Sequence, residues 1–226
     1  MKRLFSKVAL VTLIWALVGC SAGTVSKSSI PVATHAPTPS IASGTVLYQS
    51  DWSQGLAAWG NPPGWKSTNG IIQSDLSDNN ALTVPYISAV PNYAIEVLFQ
   101  IVSVPTDGGY FVVTAKQLPK KDGYDAGILN LLSPAPHNEF ANPQVQVYLK
   151  PMDDMSTQMV LSDYEPGSIW HTFRIEVQGA NVRFLINGIR KSSATSIQND
   201  FLSNGPFQVI SAGAVVNVAS IRVMAL

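Results

Sequence analysis

The sequence predicts an all-β protein that folds as a two-sheet antiparallel sandwich or as a barrel. Three observations lead to this prediction. About a dozen short segments alternate apolar and polar residues with a period of two, as half-buried strands do. Turn-forming Gly, Pro, Asn and Asp residues separate these segments. There is no long stretch rich in Ala, Glu, Lys and Leu that would supply helices.

The clearest of these segments is residues 169–193, which we interpret as two strands joined by the turn Gly179-Ala180-Asn181. Apolar and polar residues alternate on both sides of this turn, which is the pattern of a hairpin with one buried face. Asn187-Gly188 marks a second tight turn, because both residue types tolerate positive φ.

The remaining predicted strands follow from the same alternation. In chain order they are residues 46–48, 70–74, 81–84, 93–104, 109–117, 126–132, 144–150, 157–162, 206–211 and 215–224. The longest, 93–104, is expected to form a hairpin with 109–117 across the turn 105–108. No internal linker interrupts this series, so we expect one folded domain over residues 45–226.

The N-terminal region has the features of an export signal. Three basic residues precede the apolar segment 8–18, which is too short for an ordinary membrane span of about 20 residues. The segment ends at Leu17-Val18-Gly19-Cys20, which resembles the lipobox of bacterial lipoproteins. The resemblance implies that residues 1–19 are a signal peptide, cleaved before Cys20 after its sulfur receives diacylglycerol. An ordinary cleaved signal peptide or an uncleaved anchor is the alternative.

Residues 20–44 are expected to be an extended tether, because Ser, Thr, Ala and Pro dominate them without periodicity. The expected location is therefore extracytoplasmic, at the cell membrane or the outer membrane, through a lipid on Cys20. Basic and acidic residues number 14 each, which gives no electrostatic reason to expect a nucleic-acid partner. The sequence carries no signal for an oligomeric state.

Four places in the chain carry a resemblance to a known fold family. They are Asp51-Trp52-Ser53 with Trp59 and Gly64-Trp65, then Gly70-Ile71-Ile72, the run from Trp170 to Gly188, and the run from Val218 to Val223. Together they resemble the concanavalin A-like lectin/glucanase sandwich, and most closely the laminin-G-like and 3-keto-disaccharide-hydrolase-like domains.

This resemblance implies a jelly roll of two curved antiparallel sheets, with any glycan on the concave face or at the loop rim. It also implies that Trp52, Trp59, Trp65 and Trp170 occupy packing positions in the core or at its rim. Many relatives carry an acidic residue before the last strand's Ile/Val pair, whereas this chain has Ala219 and Ser220 there. A calcium site that uses this position is therefore in doubt.

The carboxylates do not have the spacing of a glycosidase. A retaining glucanase of this fold carries a Glu-x-Asp-x-x-Glu strand, which holds its two acids about 5 Å apart. The sequence contains no such cluster. Only Glu96 and Glu176 fall inside strongly predicted strands, and both lie on the mixed face. A solvated or salt-bridged position is the favoured interpretation of each, and a catalytic role is the alternative.

The best candidate for sugar binding is the polar side of residues 144–150. Its members combine an aromatic ring with amide and charged groups: Gln144, Gln146, Tyr148 and Lys150. Glu96, Gln100 and Tyr110 are expected neighbours. Such groups can bind sugar rings and hydroxyls, although a plain solvent-facing sheet surface has the same pattern.

We expect no cofactor. Calcium is the alternative, because oxygen ligands cluster in the turn Asp75, Asp78, Asn79 and Asn80 and at Asp153-Asp154. Such clusters more often stabilise the turn itself. His171 lies on the apolar side of its strand, where a hydrogen-bonded core or rim histidine is expected.

The resulting prediction is a lipid-tethered lectin-like sandwich that binds carbohydrate or another envelope component. A carbohydrate-active hydrolase that uses Glu96 or Glu176, and a purely structural envelope lipoprotein, are the alternatives.

Overall fold

The computed structural model describes residues 41–105, 108–117, 122–131, 144–150, 162–163, 167–197, 202 and 205–226. In chain order its strands are β1 (Val46–Gln49), β2 (Trp65–Thr68), β3 (Ile71–Ser74), β4 (Asn80–Thr83), β5 (Tyr93–Ser103), β6 (Gly109–Gln117), β7 (Asp122–Leu131), β8 (Gln144–Lys150), β9 (Ser162–Asp163), β10 (Trp170–Gln178), β11 (Asn181–Ile186), β12 (Ile189–Thr195), β13 (Phe207–Ala212) and β14 (Val215–Ala225). The described helical structure is a single 3-10 turn at Ala57–Trp59. In this described part of the chain, no helix is long and apolar enough to cross a membrane.

The strands form two antiparallel sheets. The eight-stranded sheet has the order β12-β11-β10-β5-β14-β3-β2, and β1 pairs with β14. The six-stranded sheet has the order β4-β13-β6-β7-β8-β9. Residues Ser40–Leu226 form one compact unit. The prediction of an all-β, two-sheet antiparallel sandwich is confirmed.

The 169–193 segment forms the predicted hairpin and continues beyond it. β10 and β11 pair in register from Phe173↔Ile186 to Gln178↔Asn181, and the buried residues of each strand alternate with half-buried or exposed ones. After the turn at Asn187, where φ is +49°, the chain enters β12, which pairs with β11. The segment is therefore a three-stranded meander, because the turn predicted at Asn187-Gly188 reverses the chain into a third strand.

The predicted hairpin between β5 and β6 is wrong. β5 lies between β10 and β14 in the eight-stranded sheet, whereas β6 lies between β13 and β7 in the other sheet. Both hydrogen-bonding edges of β5 are already occupied, so the short connection carries the chain from one sheet to the other. Alternation of residue types shows which face of a strand is buried, but it does not identify the neighbouring strand.

The core lies between the inward faces of the two sheets. Phe99 and Phe111 stack across it with ring centroids 5.1 Å apart, and Phe173 packs against both. Trp52, Trp59 and Trp65 are buried, as the family resemblance implied. Strand β2, which begins at Trp65, was not predicted, because its residues Lys66, Ser67 and Thr68 are polar on both faces.

Candidate functional site

The residues predicted to bind sugar do not all lie together. Strand β8, which carries Gln144, Gln146, Tyr148 and Lys150, belongs to the six-stranded sheet, and its backbone is described although these side chains are not. Tyr110 lies on β6 of the same sheet, with β7 between it and β8. Gln100 and Glu96 lie on β5 in the other sheet. The expectation that Gln100 and Glu96 neighbour β8 is therefore wrong, because β5 and β8 belong to different sheets. The alternation of residue types does not show which sheet a strand joins.

A row of hydrogen-bonding residues crosses the outer face of the six-stranded sheet. The strand register aligns Thr83 with Gln208, Gln208 with Thr114, Thr114 with Asp125 and Asp125 with Tyr148. We call Thr83, Gln208, Thr114 and Asp125 the threonine row. It is an outer row because the residues adjacent to it along each strand, such as Leu82, Val113 and Tyr124, are buried in the core. The predicted Tyr148 occupies the next register position.

The threonine row contains one buried polar atom without a partner among the described residues. Gln208 Nε2 donates to Thr83 Oγ1 at 3.1 Å. In the part of the chain that the structure describes, the Thr114 hydroxyl is buried and has no hydrogen-bond partner, and this residue is 2% exposed. A buried hydroxyl in this state costs the free energy of its lost hydration, about 1–3 kcal/mol. The row therefore retains an unused hydrogen-bonding group at its centre.

Glu96 and Glu176 are held by arginines on the outer face of the eight-stranded sheet. Arg174 Nη1 donates to Glu96 Oε1 at 2.8 Å, and Arg174 Nε donates to Glu176 Oε1 at 2.7 Å. Arg222 Nη2 donates to the second oxygen of Glu96 at 2.6 Å. This geometry agrees with the favoured interpretation of salt-bridged sheet positions. Both Glu96 oxygens therefore accept from guanidinium groups of the neighbouring strands.

The pKa of Arg174 reflects its place between the two carboxylates. Partial burial, the largest single influence, lowers this pKa, because the charged guanidinium loses hydration. The hydrogen bonds to Glu176 and Glu96 act in the opposite direction, and together with the negative charges they raise the pKa above its usual value. The guanidinium thus remains a permanent cation that organises this part of the sheet.

A second polar row crosses the same face four residues further along β5, at Gln100. The register aligns Trp170, Gln100, Asn217, Gln73 and Lys66 across five strands. Gln73 Nε2 donates to Asn217 Oδ1 at 2.8 Å, and Asn217 Nδ2 donates to Gln100 Oε1 at 2.9 Å. Gln100 Nε2 then donates to the Ser168 carbonyl at 2.8 Å. We call Trp170, Gln100, Asn217, Gln73 and Lys66 the amide row.

Sequence reasoning identified Gln100 but not its partners. Trp170 differs from Trp52, Trp59 and Trp65, because it lies on the outer face and is 38% exposed rather than packed in the core. The sequence pattern does indicate this exposure, because Trp170 alternates with the buried residues of β10 and lies on the face opposite to Phe173. Bringing Gln73 and Asn217 beside Gln100 requires the strand order, which alternation does not supply.

The turn near Asp75 has the geometry of a self-stabilised turn. Asp75 Oδ1 accepts from the Ser77 backbone N–H at 2.9 Å and from Asn80 Nδ2 at 3.0 Å. Its pKa is lowered, chiefly by hydrogen bonding from the side chain of Ser77 and then from its backbone. Within the described ranges, no three His, Cys, Asp or Glu side chains are grouped to hold a metal ion. Asp153 and Asp154 lie outside the described residues, and calcium binding stays a prediction.

His171 lies where the sequence placed it, at the rim of the core. It is 7% exposed, its ring packs against Phe99, and its Nδ1 is 3.0 Å from Asn187 Nδ2. These contacts fit a histidine that fixes the Asn187 turn. Cys20 and the tether up to residue 40 lie outside the described residues, so lipidation stays a prediction.

No family model matches the sequence, and no curated protein is significantly similar to it. Solved structures are similar in fold. The Crh5 transglycosylase, solved in complex with NAG, is 13% identical, with a TM-score of 0.55 over 81% of this chain and 86% of that one. The CBM2 module of the evolved Dit of Lactobacillus casei BL23 phage J-1 is 10% identical, with a TM-score of 0.52 over 81% and 97%. The carbohydrate-binding module CBM66 from Bacillus subtilis is 13% identical, with a TM-score of 0.46 over 76% and 94%. The chain thus has the concanavalin A-like jelly-roll sandwich fold.

Proposed function

We propose that the protein is a carbohydrate-binding module, without hydrolytic activity, whose glycan lies across the outer face of the six-stranded sheet. The observation that carries this proposal is the threonine row, which aligns hydroxyl, amide and carboxylate groups with Tyr148 on five adjacent strands. Sugar hydroxyls donate and accept hydrogen bonds, so such a row offers complementary groups at each strand spacing of about 4.8 Å. Beside the buried Thr114, the exposed Thr83 and the half-buried Gln208 and Asp125 are the members of the row that a ligand can reach.

The names of proteins with the same fold support this choice of ligand. They include carbohydrate-binding modules and a transglycosylase bound to NAG. The fold alone hosts many functions, so it supports the ligand class and not the activity.

Binding is favoured over hydrolysis because of the arrangement around Arg174. A glycosidase needs one carboxyl group to protonate the leaving oxygen and a second to act as nucleophile or base. Both oxygens of Glu96 accept hydrogen bonds from Arg174 and Arg222, and Glu176 is bound to the same guanidinium. These acids lie on the eight-stranded sheet, away from the threonine row.

A glycan array probed with the full chain in a non-glycosidic detergent tests the proposal. We expect binding to at least one glycan class, and a loss of about tenfold in affinity for Tyr148→Ala, the usual consequence of removing an aromatic anchor. Tyr86→Ala, which removes a tyrosine stacked on Tyr48 and outside the threonine row, is the matched control. Absence of binding to every glycan, or equal losses in both variants, would contradict the proposal. Hydrolysis products that disappear in Glu96→Gln would favour the hydrolase instead.

The proposed location is the extracytoplasmic side of a membrane, through a lipid on Cys20. Its support is the sequence alone: a basic start, an apolar segment and a lipobox-like end, followed by a Ser/Thr/Pro-rich tether. More than one acyl chain is required for stable attachment, since each buried CH₂ contributes about 0.8 kcal/mol. Mass spectrometry of the mature chain should find an acylated residue 20 at its N-terminus, and Cys20→Ser should abolish the modification. An unmodified Cys20 in the mature chain would rule out the anchor.

A further inference from the structure

We infer that the amide row on the eight-stranded sheet is a second glycan-binding surface, and that it takes an extended, uncharged oligosaccharide. The inference rests on the proposed carbohydrate binding for the class of ligand, and it places a site on the face opposite to the threonine row. It is carried by the contacts that connect Gln73, Asn217, Gln100 and Ser168 beside Trp170.

The amide groups of the row are held in fixed orientations before any ligand arrives. Each of the three amides donates one hydrogen bond along the row, at 2.8, 2.9 and 2.8 Å. An amide has two N–H donors and a carbonyl with two lone pairs, so each retains hydrogen-bonding capacity after these contacts. Binding at this row costs the protein less side-chain entropy than binding to a surface of mobile amides would.

The row ends at an exposed aromatic side chain. Trp170 is paired with Gln100 in the strand register, and it is 38% exposed whereas Trp52, Trp59 and Trp65 are buried. A large flat apolar ring next to a few oriented polar groups is the usual composition of a small-molecule site. Sugar rings present C–H groups on one face and hydroxyls at their edges, which matches this combination.

The charge and length of the row define the ligand further. Its polar members are three amides and Lys66, and no carboxylate belongs to it. The positive charge of Lys66 acts on Asp75, whose pKa it helps to lower, and Glu96, Arg174 and Arg222 are paired with one another. From Trp170 to Lys66 the row crosses four strand spacings, about 19 Å in total. A neutral chain of several sugar units fits this length better than a monosaccharide does.

The row also lies far from the point where the tether would join the folded domain. Gly44 and Thr45 are hydrogen-bonded to Ala225. In the strand register Ala225 pairs with Tyr93, at the start of β5. Gln100 is seven residues further along β5, which corresponds to about 23 Å. Gly44 and Thr45 therefore do not cover the amide row.

Calorimetric titration of the full chain in a non-glycosidic detergent tests the inference, with three neutral hexasaccharides as probes: cellohexaose, laminarihexaose and chitohexaose. At least one should bind, and its disaccharide should bind much more weakly. Trp170→Ala should weaken the binding of that hexasaccharide about tenfold and Gln73→Ala about threefold. Gln178→Ala removes an exposed glutamine at the other end of β10 and should leave the affinity unchanged.

The outcomes separate this inference from the proposed function. Hexasaccharide binding that Tyr148→Ala abolishes but Trp170→Ala and Gln73→Ala leave intact would overturn the inference and retain the threonine row as the site. Binding to array glycans but to none of the three hexasaccharides would also overturn it. Losses in Trp170→Ala and Gln73→Ala with no effect of Tyr148→Ala would support the amide row and contradict the six-stranded face. Trp170 and Gln73 lie on the surface, so each variant should still unfold in one cooperative transition above the assay temperature, which verifies its folding.

Discussion

The outer faces of the two sheets handle their polar groups in different ways. On the eight-stranded sheet, Arg174 connects Glu96 and Glu176, and a separate run of amides is hydrogen-bonded end to end. On the six-stranded sheet, the Thr114 hydroxyl is buried without a partner among the described residues. The amide and ionic groups of the first face are thus hydrogen-bonded to one another, whereas a central hydroxyl of the second face is unsatisfied.

This difference indicates how substitutions on each face should act. A hydrogen-bonded network loses contacts when one of its members is removed. An unsatisfied buried hydroxyl destabilises the folded chain, so its removal recovers the cost of its lost hydration. Substitutions on the two faces should therefore change stability in opposite directions.

The largest effect is expected from Arg174→Met, which removes the centre of the ion network. The side chains of Glu96 and Glu176 are 15% and 21% exposed, so the loss should lie between that of a surface pair and that of a buried one, about 2 kcal/mol. Urea unfolding at low and high salt measures it. The exposed Arg183, on the neighbouring strand β11, supplies the control Arg183→Met, which should cost less than about 0.5 kcal/mol. Similar losses in the two variants would mean that the network does not stabilise this face.

The Arg174 network illustrates how far the sequence could predict the molecule. Alternation along β5 and β10 correctly placed Glu96 and Glu176 on the outer faces and Phe99 and Phe173 in the core, because side-chain direction follows a local period of two. Partners across strands depend on sheet order, which is set by contacts between distant segments. For that reason the β5–β6 pairing was wrong and the amide row was missed.

The next effect concerns the hydroxyl pair that joins the two sheets inside the core. Tyr93 on β5 and Tyr124 on β7 are fully buried, with their hydroxyl oxygens 3.1 Å apart. Tyr124→Phe should cost about 1 kcal/mol at neutral pH, the usual net contribution of one hydrogen bond.

Burial raises the pKa of both tyrosines far above 10, so the folded chain keeps phenol protons that the unfolded chain loses above pH about 10. The stability from these groups is therefore complete below pH about 10 and declines as the pH rises beyond it. Urea unfolding between pH 8 and 11 should show a shallower decline for Tyr124→Phe than for the unaltered chain. An equally steep decline in both would show that Tyr124 does not contribute to the alkaline loss.

The smallest change in stability, and the one of opposite sign, is expected from Thr114→Val. Valine has nearly the same shape and removes the partnerless hydroxyl, so the variant should be equally stable or up to about 1 kcal/mol more stable. Thr172→Val changes the same residue type at a half-buried position on the eight-stranded sheet and should have little effect. A clear loss of stability in Thr114→Val would show instead that the hydroxyl has a partner in the folded chain.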